Sequence, residues 1–529
     1  TMDGKPYHWG GNYTPNWYAE LGGDNNLKVS GINISENLKY KLTSYLDAVV
    51  NLGYNTSTAT RDAVKNSITW YTYDGTLSTA KPNAIYNPNQ ASTEYSKSFA
   101  RTDYYSVSGY LNFHQTFAEK HTVSAMLGAQ YNLKEYDYTV VTAKDVQSSL
   151  EILNGSGDIF LKNSAKTSSP DKWQEAMMSY FGRFNYNYLS KYLLEANLRY
   201  DGSSKFLPEN RWDFFYGFSG GWRLTEENFM KNVKFLNELK LRLSYGVVGN
   251  QSGISRYDGR QLYNFNSVNG AYLGDGRVSY VKSNGEIATT GRSWERIHNY
   301  NLGVDFSLLK NKLSGSLDAY VKQGKEVISN YDAPLPPFMF DQIFTNVAST
   351  SSKGLELTLN WDVVNMKDFS YSTNLVASFT KSKLDKFSNG TYQKGYMDRY
   401  LLPAPGNPGY AQRLQDGVEI GSFYGLRYAG VDDNGNMLVW KDAKIGGEKI
   451  LANGEASDTD KDYIGHGTPR YSLSWGNTFR YKGFDLSLYF QGRFDYQILN
   501  MYQMYYGLVA EPGMNLLEDA YGKNGHIKS

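Results

Sequence analysis

Three carboxylates at alternate positions, Asp458, Asp460 and Asp462 in SDTDKDYIG, come nearest to a metal-ligating pattern in this sequence. Hard oxygen ligands spaced this way open a Ca²⁺ loop. The glycine and the distal bidentate glutamate that complete such a loop are missing. A solvated acidic loop is therefore the leading reading, Ca²⁺ the alternative, and no other cofactor is expected. The six histidines, at 8, 114, 121, 298, 466 and 526, show no ligand-like spacing. No H-E-x-x-H or P-loop occurs, and Ser, His and Asp fall in no triad-like arrangement. The absence of cysteine excludes disulfides, thiolate metal sites and a Cys nucleophile. The residues predict a protein that is not an enzyme.

Binding is better served. The stretch NYDAPLPPFMFDQIF, residues 330–344, presents Tyr331, Phe338, Phe340 and Phe344 among prolines. Such rings stack on a sugar or line a peptide groove; packing of the loop against a neighbouring protein is the favoured reading. Four cations, Arg183, Arg199, Lys240 and Arg242, lie in strongly alternating segments, so their role depends on which face of a sheet they occupy. A formal net charge of +1 gives no electrostatic case for nucleic acid.

The segment Met178 to Tyr200 shows how the positioning elements are written. Met178, Tyr180, Gly182, Phe184, Tyr186 and Tyr188 share one face, opposite Ser179, Phe181, Arg183, Asn185 and Asn187. After the turn at Leu189-Ser190-Lys191, Tyr192, Leu194, Ala196, Leu198 and Tyr200 repeat the alternation. This is a period-2 hairpin. Seven such hairpins follow one another, with short turns near 44, 118, 190, 230, 310, 365 and 482. The connections between them, near 57–102, 135–174, 201–211, 247–293, 324–352, 382–468 and from 493, are mostly long; the one at 382–468 has room for a further strand pair around SFYGLRYAG.

Strict alternation of short and long connections is the signature of an up-and-down barrel in an outer membrane. No apolar run approaches the roughly 18 residues of a transmembrane helix, so any crossing uses strands. The strands read as about 10 to 16 residues, where soluble ones average nearer 5 or 6. Aromatics gather at both ends: Tyr186, Tyr188 and Tyr192 beside a short turn, Tyr200, Trp212 and Phe214 beside the opposite loop. On the lipid side Lys240 and Arg242 would cost roughly 2–4 kcal/mol each near the midplane, so all four cations are expected on the lumenal face. The fold class is all-β, a transmembrane up-and-down antiparallel β-barrel to which this sequence contributes about 14 to 16 strands.

Several stretches resemble the SusC/RagA family of TonB-dependent outer-membrane transporters: GRFNYNYLSKYLLEANLRYDGSSKF at 182–206, LRLSYGVVGNQSG at 241–253, IGSFYGLRYAGV at 420–431 and GTPRYSLSWGNTFRYKGFDLSLYFQG at 467–492. GYLNFHQTFAEKHTVSAMLGAQY at 109–131 and SKGLELTLNW at 352–361 agree in place and order. The resemblance implies a 22-strand barrel around an N-terminal plug in a Gram-negative outer membrane. It also implies import of a glycan, oligosaccharide or oligopeptide, driven by TonB, under a SusD-like surface lipoprotein. A dimer of importer–lipoprotein pairs and contact with outer-membrane lipid belong to the same expectation. Residues 1–529 are then one portion of a single barrel domain, with the plug, the TonB-contacting stretch and the closing strands outside this sequence. A passive porin-like channel and a receptor or structural component that transports nothing are the alternatives.

Overall fold

The computed structural model describes residues 22–66, 71, 93–144, 146, 159–161, 172–257, 291–332, 342–387, 396–402, 409–506 and 517, with short strands between 263 and 287. Its organising element is one antiparallel meander of fourteen strands. In order these are β1 Asn25–Lys41, β2 Leu46–Lys65, β3 Glu94–Phe117, β4 His121–Lys144, β5 Lys172–Tyr188, β6 Tyr192–Ser203 and β7 Trp212–Arg223. The second half is β8 Leu236–Asn250, β9 Glu295–Leu308, β10 Leu313–Asp332, β11 Gln342–Asn365, β12 Phe369–Phe387, β13 Tyr471–Tyr481 and β14 Phe484–Phe494. Each strand pairs with its sequence neighbour along this path, so every hairpin expected from the alternation is formed.

The short turns are tight because their residues take the left-handed conformation. Leu189 (φ 52°) and Ser190 (φ 57°), Ala118 and Glu119, and Leu309 to Asn311 all have positive φ. Hairpins favour this geometry because its twist matches that of the strands. At the first of these turns Asn187 Oδ1 accepts a 2.8 Å hydrogen bond from the Ser190 amide.

One face of the sheet is apolar and uncovered. The cross-strand row Leu302, Ala319, Leu355, Phe379, Tyr471 and Phe494 runs over β9 to β14, and Phe306, Gly315, Leu359, Leu375, Trp475 and Phe490 form a parallel row. Leu243 is 65% exposed and Leu127 70%. Soluble monomers rarely expose apolar patches of more than a few hundred Å². The face continues over strand after strand and ends in aromatic belts, so its solvent is lipid. Beside the short turns Tyr188, Tyr192 and Trp222 are cross-strand partners. Tyr192 Oη (2.7 Å) and Trp222 Nε1 (3.2 Å) both donate to Glu227. At the other end Trp212 stacks on Tyr200 and Tyr180, with centroids 5.0 and 6.0 Å away.

Two expectations need correction. Strands read as about 10 to 16 residues reach 24 in β3, β4 and β11, because the ladders continue beyond the lipid-facing stretch. There both faces meet water or loops, so the apolar alternation fades while the pairing persists. The connection at 382–468 adds no strand to the wall. Tyr396–Leu401, Tyr410–Gln415, Ser422–Leu426 and Lys461–His466 form a separate four-stranded sheet, and Tyr428–Val431, Met437–Trp440 and Lys449–Leu451 a three-stranded one. SFYGLRYAG is divided between them. The buried apolar clusters also sit toward the long-loop end: Phe206, Phe215, Val247, Ile254 and Trp294; Val64, Tyr95, Ala143 and Val146; Ala348, Leu384 and Phe387. Along the lipid-facing stretch no further buried apolar cluster occurs among the described residues, since lipid takes that place.

Candidate functional site

The polar face of the wall carries a chain of ion pairs set by register. Arg242 on β8 lies beside Gly303 on β9, which lies beside Asp318 on β10. Its guanidinium donates to both oxygens of Asp305 at 2.8 Å and to Asp318 at 3.0 Å. A Cβ at position 303 would fall 2.6 Å from the Arg242 Cζ, so glycine is what lets the guanidinium lie across β9. Arg199 donates to Asp201 at 2.7 Å and to Ser179 at 2.8 Å, and Arg183 to Asn197 at 2.9 Å. Lys240 has no such partner among the described residues. It shares with Arg242, Glu195, Ser219, Asn185 and Ser124 the lining of a concavity of about 570 Å³. All four cations thus occupy the face opposite the exposed apolar one. Their arrangement can solvate a water-filled channel and offer hydrogen bonds to whatever fills it. Asp305 and Asp318, absent from the sequence candidates, stand at polar-face positions of their own strands; only the register ties them to Arg242.

The module between β12 and β13 is built on a second arginine that sequence reasoning did not single out. Arg413 is buried between the rings of Tyr396 and Tyr424, 3.6 and 4.2 Å from their centroids. It forms a bidentate pair with Asp398 at 2.7 and 3.0 Å. Those hydrogen bonds hold its pKa above the ordinary arginine value. Burial pushes the nearby Tyr463 phenol up to about 12. A third cluster fastens the module to the wall: Arg470 donates to Glu419 at 2.9 Å and to Asp495 at 3.0 Å, and lowers the Glu419 pKa.

The three aspartates of the acidic stretch diverge. Asp458 pairs with Lys461 at 2.8 Å and Arg413 at 3.5 Å, and the Lys461 bond lowers its pKa. Asp460 is buried and caps a turn, accepting from the Asp442 amide at 2.9 Å and from the Ser457 amide and hydroxyl at 2.8 Å. The Asp442 amide is the largest cause of its lowered pKa. Asp462 lies 3.8 Å from Arg427. Among the described residues no three His, Cys, Asp or Glu side chains share a metal-holding geometry. The four histidines among the described residues have separate partners: His121 meets Tyr186, His298 Tyr245, His114 Ser124, and His466 the Thr468 carbonyl and Asp495, while His8 and His526 lie outside the described residues. Of the aromatic candidates, Phe338 and Phe340 lie outside the described residues. Backbone pairing places Tyr331 beside Ile343 and Phe344 beside Asn330, at the long-loop ends of β10 and β11.

An uncovered apolar face, aromatic belts, a charged inner face and a folded module on the long-loop side define the wall of an outer-membrane β-barrel. The chain belongs to the family described as TonB dependent receptor-like, beta-barrel, whose model matches residues 1–507. It is an outer-membrane protein of a Gram-negative bacterium, and its likeness is to the SusC/RagA branch. The TonB-dependent receptor P3 of Formosa agariphila is 33% identical over 408 residues, 74% of this chain and 38% of that protein. The TonB-dependent receptor SusC of Bacteroides thetaiotaomicron is 30% identical over 321 residues, 59% of this chain and 31% of that protein. The RagAB peptide importer in its open-open state superposes with a TM-score of 0.74 at 20% identity, covering 93% of this chain and 50% of that one. The chain therefore spans about two-fifths or less of the curated relatives' length.

Proposed function

We propose that the protein to which this wall belongs imports a nutrient, a glycan or oligosaccharide or an oligopeptide, across the outer membrane under the drive of TonB. The observation that carries this reading is the family match over residues 1–507, on a fourteen-strand meander of the fold seen in the RagAB peptide importer. The protein does no covalent chemistry. A SusD-like surface lipoprotein caps the long-loop end, and two importer–lipoprotein pairs assemble together. The fourteen strands form part of a larger barrel that holds a plug. In that barrel Arg183, Arg199, Lys240 and Arg242 solvate the lumen and contact the plug. Tyr331, Phe338, Phe340 and Phe344 pack their loop against the lipoprotein or the plug. Asp458, Asp460 and Asp462 serve the module as ion-pair and capping groups rather than as Ca²⁺ ligands.

The test is uptake of labelled oligosaccharides and oligopeptides by cells with and without the intact gene, each with and without TonB. Accumulation that needs both is expected. Uptake that persists without TonB would make the protein a passive channel, and surface binding with no uptake would make it a receptor.

A further inference from the structure

A second concavity, of about 370 Å³, lies at the long-loop end, at the edge where β6 leaves β5. Tyr131 and Leu133 of β4 and Ala176 of β5 form one wall. They continue the lipid-facing rows: Tyr131 follows Leu127 by alternate positions, and Leu133 pairs with Ala176, two alternate positions beyond Tyr180 of the aromatic belt. The groove therefore opens toward the bilayer at headgroup height, where aromatic belts mark the interface.

Its opposite wall is preformed. β6 stops pairing with β5 at Met177, and two loops take over that edge. The Ala176 amide donates to Ser204 Oγ at 2.8 Å, the Ser204 amide to the Ala176 carbonyl at 2.9 Å, and the Gln174 amide to Tyr257 Oη at 3.4 Å. These loops bring in Lys205, Arg211 and Arg256, three cations against one carboxylate, Glu175. The Arg256 guanidinium lies 3.3 Å over the Trp173 ring, which fixes its plane. Its Nε is 3.1 Å from Glu175, which leaves Lys205 and Arg211 as the cations of the lining without a carboxylate partner among the described residues. Three cations against one carboxylate leave an excess of positive charge, and a phosphate is the anion that guanidinium forks hold by paired charge-assisted hydrogen bonds.

We propose that this groove binds the phosphate-bearing headgroup of an outer-leaflet glycolipid. Lys205, Arg211 and Arg256 hold the phosphate, and the acyl chains run down the Tyr131–Leu133 face. The apolar wall selects a lipid over a soluble phosphate, because it leads from the cations into the hydrocarbon. The site is independent of what the barrel imports.

The test uses the full-length protein with its natural partners in phosphatidylethanolamine nanodiscs, titrated with bis-phosphorylated lipid A and followed by native mass spectrometry. One lipid A per copy is expected. Dephosphorylated lipid A, and the double variant Arg211→Gln, Arg256→Gln, are each expected to bind about tenfold or more weakly, as loss of charge-assisted contacts requires. Lys310→Gln, at a short turn on the other side of the membrane, retains wild-type binding. Heat-modifiable gel mobility reports folding, and if the double variant does not fold, Lys205→Gln on the exposed loop takes its place with a severalfold loss expected. Equal binding by wild type and variant, indifference to the lipid phosphate, or inorganic phosphate binding as tightly as the lipid would each overturn the proposal.

Discussion

Replacing Leu243 by arginine tests whether the exposed face meets lipid. Leu243 is the central residue of β8, is 65% exposed, and sits between Gly220 and Leu302 on a face with no protein over it. If that face met water, Leu243→Arg would remove no contact and would change stability by no more than about 0.5 kcal/mol. In lipid the side chain must carry its charge at or near the midplane, at a cost of about 2–4 kcal/mol. At about 1.4 kcal/mol per decade, that lowers the folded-to-unfolded ratio by roughly 30- to 800-fold. The assay is a guanidinium titration of the full-length protein in fluid-phase vesicles, read by gel mobility and extrapolated linearly to zero denaturant. The neighbouring Ser244→Arg, on the polar face, is the internal control and should cost less than about 1 kcal/mol, since lumenal positions tolerate charge. Equal costs for the two variants would refute the assignment of faces, and the membrane reading of the wall with it.

Three further outcomes follow from the geometry. Arg242→Ala leaves Asp305 and Asp318 without their shared guanidinium and should cost about 1–3 kcal/mol, the range for hydrogen bonds to charged groups left unmade; adding Asp318→Asn should recover part of it in the same titration. Arg413→Met removes the Asp398 pair and both ring contacts, so hydrogen exchange over residues 396–402 and 409–466 should speed up while β11 and β12 stay protected. Asp460 gives the module an acid limit. Its folded-state pKa lies below the ordinary aspartate value of about 3.9, so the stabilisation is complete above that value and is lost as pH falls through the lower folded one. Amide protection at Asp442 and Ser457 should drop over that window in the wild type, whereas Asp460→Asn should show weak protection and no such dependence.

The alternation by itself determined the wall. A strand with lipid on one side and water on the other must change character at every residue, so Met178 to Tyr200 states its hairpin, its faces and its belts without reference to any other segment. The tight turns at 118, 190 and 482 and the placing of Arg183, Arg199, Lys240 and Arg242 on the polar face follow from the same local rule. Tertiary structure decided whatever depends on a partner. Asp305 and Asp318 lie 63 and 76 positions from Arg242 in sequence, and only the staggering of β8, β9 and β10 brings all three together. The 24-residue lengths of β3 and β4 were hidden because, beyond the bilayer, the ladder hydrogen bonds persist while the contrast between faces does not. Arg413 lies in a segment without strong alternation. Its burial between Tyr396 and Tyr424 comes from strands that pair only after the module folds, and no spacing along the chain encodes that meeting.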